Sequence, residues 1–89
     1  MSSKQEIKTL FTTELINTPE YQIILSIKQF ILNEIATPNI QEIIVYNFEA
    51  PLTNEQQSNL KLCGIIEFGF KLDTMNENCV VIDMKKFLE

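Results

Sequence analysis

The side chains that could do chemistry in this 89-residue sequence are carboxylates, lysines, tyrosines and two cysteines, because it contains no histidine, arginine or tryptophan. Histidine and arginine carry much of the general-base, phosphate-binding and metal-binding chemistry of proteins at neutral pH. The two cysteines, Cys63 and Cys79, share no metal-ligand spacing. The sequence therefore predicts no catalytic residue, no cofactor-binding residue and no metal ligand, and it favours a protein that binds rather than an enzyme.

One pair of carboxylates, Glu67 and Asp83, is a candidate for chemistry. In the β-hairpin that residues 65–85 predict, the two lie directly opposite each other, and like charges in such positions destabilise a sheet unless something neutralises them. Lys71 and Lys85 lie diagonally near them and favour simple charge balance at the surface. Contact with a basic partner is a second interpretation. Metal binding or acid catalysis is a third, although hard cations require six or more oxygen ligands.

The two cysteines do not predict a disulfide. The same hairpin separates Cys63 from Cys79 by about 26 Å, at ~3.3 Å per residue along the ribbon. A disulfide spans only ~6 Å between Cα atoms. Cys63 is also expected at the C-terminus of a helix, where the helix dipole disfavours a thiolate. We therefore expect two small apolar side chains with free thiols.

The charge of the chain is strongly biased. Lysines number 7 against 12 acidic residues, which gives a formal net charge of −5. No cation occurs between Lys28 and Lys61, whereas that interval holds four glutamates, including Glu42 and Glu49. An acidic field repels nucleic acid and anionic lipid, so we expect no direct nucleic-acid or membrane partner. The sequence favours a protein partner with a basic surface, and the alternative is a solvated acidic side.

The start of the chain does not indicate a secretion signal. Lys4, Glu6, Lys8 and Glu14 interrupt the first twenty residues, which leaves no apolar run for a signal peptide. The most apolar segment, residues 21–35, is shorter than the roughly 20 residues of a membrane span and contains several polar side chains. We therefore expect a cytoplasmic location, or another reducing intracellular compartment.

Two helices are predicted in the first half of the chain. Ser3 and Glu6 have the spacing of a capping box, which indicates the start of the first helix. Thr18 is the expected N-cap of the second helix, and Pro19 its first-turn residue. The next break in the pattern comes at residues 37–39, where Thr, Pro and Asn follow one another.

The second predicted helix has more apolar surface than a surface helix needs. Its apolar arc covers roughly 220°, about twice the usual width. Either the helix lies between the first helix and a sheet, or part of the arc packs against a second copy or a partner. Ile24 and Ile31 are the candidate partner-binding residues on this arc. A homo-oligomer is accordingly one of the predicted assemblies.

Three strands and a short helix are predicted in the second half. Residues 43–48 are β-branched and aromatic with apolar side chains at both parities, which indicates a strand buried on both faces. Thr53 and Gln56 form a second capping box that opens a helix expected to end at Gly64. Alternating residues at 66–72 and 78–85 then predict a hairpin in which Leu72 pairs with Asn78.

These elements predict one domain of the α+β class spanning residues 1–89 in the order ααβαββ. The helices are expected on one face of a three-stranded sheet that ends in the hairpin. If the short helix is a right-handed crossover, the first two strands run parallel. The opposite sheet face is expected to be mixed in polarity, with the paired carboxylates on it.

Two short segments resemble a known family. Ala50-Pro51-Leu52-Thr53, followed by Glu55-Gln56 and Leu60, is similar to the helix-opening segment in the C-terminal domain of the ATP synthase delta (oligomycin-sensitivity-conferring) subunit. The run from Val81 to Met84 is similar to a later strand of that family. The resemblance covers about a third of the chain, and the family's paired hairpin glycines are absent here. It implies an accessory subunit of a larger complex, and it assigns no functional residue.

The sequence thus supports three hypotheses of different classes. The first is a small acidic protein-interaction module: a subunit, an adaptor or an inhibitor, such as a phage or viral antagonist of a host protein. The second is a carboxylate-dependent enzyme without a metal, and the third is a nucleic-acid binder with its lysines gathered on one surface. The first is favoured because apolar surface is in excess while catalytic residue types are scarce. Its predicted binding residues are Ile24, Ile31, Glu42, Glu49, Glu67 and Asp83.

Overall fold

A computed structural model of the chain describes residues 14–72 and 74–88. The predicted α+β class is confirmed. Residues 14–16 are helical, whereas the predicted Ser3–Glu6 capping box lies outside the described residues. The elements that follow residue 16 are α1 (Pro19–Ile35), β1 (Ile43–Asn47), α2 (Asn54–Phe68), β2 (Cys79–Asp83) and α3 (Lys85–Leu88).

Helix α1 begins where the local sequence predicts. Thr18 is the N-cap, with an extended backbone at φ −88° and ψ 154°, and Pro19 lies in the first turn. The Thr18 hydroxyl donates to the carbonyl oxygen of Leu15 at 2.6 Å instead of capping α1. Proline is favoured at this position because its fixed φ matches the helix and its missing N–H would have no partner in the first turn.

Helix α2 also begins as predicted but continues further. The Gln56 amide donates to Thr53 Oγ1 at 3.1 Å, and the Thr53 amide donates to Gln56 Oε1 at 2.9 Å, so the capping box is confirmed. The predicted end at Gly64 is wrong, because α2 runs through it to Phe68 and ends at Gly69, whose φ is +85°. Only glycine adopts this left-handed conformation without strain.

Gly64 has a packing role instead of a terminating one. A Cβ at this position would lie 3.3 Å from Leu72 Cγ and 3.7 Å from Ile24 Cδ1. Because Gly64 has no side chain, the buried Leu72 packs directly against the middle of α2. The strand predicted for residues 66–72 is consequently wrong, since its first three residues belong to the helix.

The sheet differs from the prediction in strand number and direction. Among the described residues, β1 and β2 form a two-stranded sheet and not the predicted three-stranded one. The two strands are antiparallel, in a continuous register from Ile43 opposite Asp83 to Asn47 opposite Cys79. The first two predicted strands, residues 43–48 and 66–72, were expected to be parallel. This expectation is wrong, because residues 66–68 are helical and β1 pairs with β2 instead.

In place of the predicted hairpin, a short segment of residues 74–76 pairs with β2, and we call this segment the strap. The chain after α2 turns back so that Met75 and Val80 form one isolated antiparallel bridge. The Val81 amide donates to the Thr74 carbonyl at 2.7 Å, and the Asn76 amide donates to the Cys79 carbonyl at 2.9 Å. The predicted pairing of residues 72 and 78 is not formed.

The core lies between the two long helices and one face of the sheet. Its most completely buried large side chains come from α1, α2, β2 and the residue after β2. They are Ile24, Ile27, Leu60, Cys63, Val80, Ile82 and Met84. The opposite face of β1 is open, with Ile43 59% and Val45 45% exposed, so the prediction that β1 is buried on both faces is wrong.

Replacement of Gly69 by alanine is expected to lower the free energy of unfolding by about 1 kcal/mol, because a Cβ strains the left-handed backbone. Gly69→Asn should have a smaller effect, since asparagine tolerates this conformation better. Urea unfolding at neutral pH measures both. Ser58→Ala, at an exposed position within α2, is the control and should not destabilise the protein. Equal stability of the alanine variant and the wild type would contradict this end of the helix.

Candidate functional site

Hydrogen bonds at the two ends of the ribbon show which backbone groups of β1 face β2. The Phe48 amide donates to the Asn78 carbonyl at 2.9 Å, and the Met84 amide donates to the Glu42 carbonyl at 2.8 Å. In an antiparallel ladder the N–H and C=O of one residue point to the same side, and successive residues point to opposite sides. The residues whose backbone groups point away from β2 are therefore Ile43, Val45 and Asn47.

The two outer edges of the sheet are not equivalent. The outer edge of β2 is hydrogen-bonded to the strap: Thr74 and Asn76 pair with its backbone, and Asn76 Oδ1 also accepts from the Cys79 amide at 3.0 Å. Within residues 14–72 and 74–88, no backbone or side-chain group is hydrogen-bonded to the outer edge of β1. In that part of the chain, the outward N–H and C=O groups of β1 therefore have no hydrogen-bond partner.

The outer edge of β1 also lacks the usual protection of edge strands. Natural edges are blocked by lysine, proline or a β-bulge, which prevent pairing with another chain. Residues 41–49 contain no lysine and no proline, and the register with β2 is continuous. The two exposed side chains at its centre, Ile43 and Val45, are apolar and β-branched. An open edge of this kind favours pairing with another strand.

A groove of about 320 Å³ runs between α1 and the end of β1. Its walls combine apolar and aromatic side chains with uncharged polar groups, and Glu49 is its only charged lining residue. No residue of β2 is among its lining residues, so the groove lies between α1 and the segment that runs from the end of β1 to the start of α2. The residues that line it are Gln22, Ile23, Ser26, Tyr46, Phe48, Glu49, Ala50, Pro51, Leu52 and Gln56.

A row of aromatic rings extends this groove along the helix. The Phe30 and Tyr46 rings meet edge to face with centroids 5.5 Å apart, and Tyr46 meets Phe48 at 6.2 Å. Phe30 comes from α1 and the other two from β1 and its end, so the row connects the helix to the strand. The row therefore lies on the side of the sheet that α1 covers.

The structure brings together two of the predicted acidic residues. Glu42 and Asp83 line a second, shallow cavity of about 350 Å³ on the open face of the sheet, together with Lys85. The Lys85 amide donates to Asp83 Oδ1 at 3.0 Å. Glu49 lies apart from them at the other end of β1, in the α1–β1 groove.

The predicted pairing of Glu67 with Asp83 is wrong. Glu67 belongs to α2, because that helix continues past Gly64, and it faces α1. Its carboxylate accepts from the Tyr21 hydroxyl at 2.5 Å and from Lys28 Nζ at 2.7 Å. This cluster joins the two long helices, so Glu67 has a structural role within the fold.

The hydrogen bonds of this cluster shift two pKa values in opposite directions. Donation from Lys28 and Tyr21 lowers the pKa of Glu67 below its usual value of 4.5, because both stabilise the carboxylate. The hydrogen bond to Glu67 raises the pKa of Tyr21 to about 12, with burial and the nearby negative charge adding to the effect. The carboxylate and the neutral phenol are thus the favoured forms in the folded protein.

The two predicted apolar binding residues are in the core. Ile24 is 0% and Ile31 is 3% exposed, so neither side chain is on the surface where the sequence placed a partner. The reason is that α1 packs against both α2 and the sheet, and these residues lie on the stripe between them. The exposed apolar residues of α1 are instead Leu25, Phe30 and Leu32.

Both cysteines are free, and they occupy different environments. Cys63 is fully buried in α2, several residues before its end, which corrects the predicted position at a helix C-terminus. Burial raises the pKa of the Cys63 thiol. A buried thiol of this kind is a poor nucleophile. Cys79 is half-buried on β2.

The described residues contain neither a metal-binding cluster nor a membrane-spanning helix. In residues 14–72 and 74–88, no group of three or more histidine, cysteine, aspartate or glutamate side chains could hold a metal ion. No helix in that same part of the chain is long and apolar enough to cross a membrane. The candidate site that remains is the open edge of β1 together with the groove between α1 and the end of β1.

Sequence reasoning missed this edge because it read β1 as buried on both faces. One signal was present: Glu42 and Glu49 enclose the apolar run, and Asn47 interrupts it at the parity of Ile43 and Val45. That alternation indicates that one face of the strand is exposed to solvent. Which backbone edge stays open was not encoded locally, since it depends on the strand that pairs with β1.

Comparison with known proteins identifies no relative: no family model, no curated protein and no solved structure matches this chain. The local resemblance of two short segments to the ATP synthase delta subunit therefore carries no family assignment.

Glu67→Gln is expected to lower the free energy of unfolding by about 1 kcal/mol near pH 7, since it weakens two hydrogen bonds to a carboxylate. The pKa of Glu67 is lower in the folded protein than its usual value of 4.5. The carboxylate therefore stabilises the fold above pH 4.5, and this stabilisation is lost as the pH falls through the lower, folded-state pKa. The difference between wild type and variant should therefore shrink as the pH is lowered from 7 to below 4.5. Urea unfolding across this range, with the exposed Glu77→Gln as control, measures it. A constant difference would contradict the assignment.

The open edge predicts an alternating pattern of amide hydrogen exchange in the free protein. Amides of Ile43, Val45 and Asn47 should exchange roughly 100-fold faster than those of the alternate residues that face β2. Val81 is the internal control, because its amide also points outward but donates to Thr74, and it should be protected. Exchange followed by two-dimensional NMR resolves the individual residues. Protection of all three outward amides would show that the edge is occupied.

Proposed function

We propose that this protein is a protein-interaction module that binds an extended segment of its partner along the outer edge of β1. The observation that carries this proposal is the edge formed by Ile43, Val45 and Asn47, whose outward backbone groups have no hydrogen-bond partner in residues 14–72 and 74–88. It acts by binding rather than by catalysis, as a subunit, an adaptor or an inhibitor. The free thiols of Cys63 and Cys79 support action in a reducing intracellular compartment.

The energetic basis of the proposed binding is strand addition. A partner strand that pairs with β1 would satisfy the N–H and C=O groups of three outward residues. It would also cover part of the exposed side chains of Ile43 and Val45, at roughly 25 cal/mol for each Å² of apolar surface removed from water. Backbone pairing supplies affinity, and side-chain contacts in the flanking groove supply specificity.

The proposal assigns a different role to each predicted acidic residue. Glu42 and Glu49 lie just beyond the two ends of β1, where they would meet the ends of a bound segment. Asp83 lies beside Glu42 on the open face. Glu67 is excluded from the binding site because its oxygens accept hydrogen bonds from Tyr21 and Lys28.

Val45→Lys is expected to weaken partner capture by roughly tenfold or more, because a lysine at the centre of an edge opposes strand addition. The matched control is Ile65→Lys, which changes an aliphatic residue of nearly equal exposure on α2, 42% against 45%. The experiment is quantitative mass spectrometry of proteins captured from native cell extract by the tagged wild type and both variants. Thermal unfolding of each variant checks that the fold is intact.

A partner that is lost with Val45→Lys and retained with Ile65→Lys would support the proposal. Equal retention by both variants would contradict binding at the β1 edge. Light scattering of the wild type decides whether the partner is a second copy. Val45→Pro provides a further test if the lysine variant is unstable, since the amide it removes makes no hydrogen bond within the described residues.

A further inference from the structure

We infer that the segment bound at the β1 edge is a basic, extended peptide of another protein, with lysine or arginine near both ends and apolar residues at alternate positions between them. This inference rests on the proposed function and adds the chemistry of the partner. It follows from three features of the described surface: the charges at the ends of β1, the lining of the groove, and the composition of the edge itself.

The first feature is the charge at each end of the open edge. Glu42 and Glu49 stand seven residues apart, which is about 23 Å along a strand. Asp83 adds a second carboxylate beside Glu42, and Lys85 offsets one charge at that end. Glu49 is the only charged residue in the groove at the other end. A partner with a cation near each end would therefore be electrostatically complementary.

The second feature is the groove beside the edge. A strand added to β1 would direct alternate side chains toward the helix-covered side of the sheet, where Tyr46 and Phe48 line the groove. A groove of about 320 Å³ accommodates an apolar side chain of leucine or phenylalanine size. Its uncharged polar lining residues are Gln22, Ser26 and Gln56, of which Gln56 already accepts a hydrogen bond from the Thr53 amide.

The third feature argues against a second copy as the occupant. Two β1 strands paired across a two-fold axis would bring together chains of net charge −5 each. Residues 41–49 contain no lysine, so a second β1 offers no cation to Glu42 or Glu49. Like charges at an interface suppress association. A partner segment that carries the opposite charge is the better match for this surface.

The test is a selection from a displayed library of random ten-residue linear peptides on the immobilised full-length protein. We expect enriched sequences with alternating apolar residues and lysine or arginine near both ends. An enriched peptide is then synthesised with a fluorescent label and titrated against each variant by anisotropy. NMR hydrogen exchange on the complex reports whether the outward amides of β1 become protected.

The charge inference predicts a specific response in these titrations. The double variant Glu42→Gln/Glu49→Gln should bind the selected peptide about three- to tenfold more weakly at low salt, and the difference should fall as salt screens the charges. Glu55→Gln/Glu77→Gln removes two exposed charges that line neither cavity and is the matched control, which should bind like the wild type. The Ile43, Val45 and Asn47 amides should gain protection in the complex.

The outcomes separate this inference from the proposed function. Peptide binding that is lost with Val45→Lys but independent of Glu42 and Glu49, or selection of neutral or acidic peptides, would overturn the basic partner and leave edge binding intact. Binding that survives Val45→Lys would overturn both. Failure to enrich any peptide would overturn the peptide inference. Edge amides already protected in the free protein would overturn both, and protection that depends on concentration would identify a second copy as the occupant.

Discussion

The structure depends on the packing of one face of a two-stranded ribbon against a pair of helices. A two-stranded ribbon is at best marginally stable in water by itself, because it has little apolar surface to bury. Here Ile44, Val80 and Ile82 pack with the isoleucine stripe of α1 and with α2. Burial of each such side chain contributes roughly 1.5–3 kcal/mol. The ribbon is therefore ordered by the helices, and the position of everything on the ribbon follows from that contact.

The same arrangement explains why the two edges of the sheet differ. After α2 ends at Gly69, the chain returns along β2, and residues 74 and 76 pair with the outward backbone groups of Cys79 and with the Val81 amide. α1 lies beside β1 but, as a helix, has no backbone groups free to pair with it. Among residues 14–72 and 74–88, the β1 edge is thus left without a strand partner, and the groove lies between α1 and the end of β1. A site for strand addition arises from the topology, without any of the residue types that mark a catalytic centre.

The acidic side chains of this protein divide into structural and surface groups. Glu67 accepts hydrogen bonds from Tyr21 and Lys28, and the buried Glu20 accepts one from Asn59, so both join α1 to α2. Glu42 and Glu49 make no comparable cross-helix bond and remain near the ends of the open edge. The net charge alone therefore does not show which carboxylates are used within the fold and which lie near the open edge.

The sequence by itself determined the elements that depend on neighbouring residues. The start of α1 at Thr18 and Pro19, the capping box of Thr53 with Gln56, and the strand character of the β1 and β2 segments all follow from side chains that act on their own or adjacent backbone. These local signals were sufficient for the α+β class. They also identified Glu42, Glu49 and Asp83 as surface charges, but not their positions relative to one another.

Tertiary structure decided the features that depend on residues distant in the chain. α2 continues through Gly64 to Phe68, Leu72 fills the space left by the missing side chain of Gly64, and the helix includes the start of the segment whose alternation predicted a strand. That change moves Glu67 from the sheet to the helix pair and leaves β2 to pair with β1. Ile24 and Ile31 became core, and one edge of β1 stayed open, because strand partners are chosen by long-range packing, which residue periodicity along the chain does not specify.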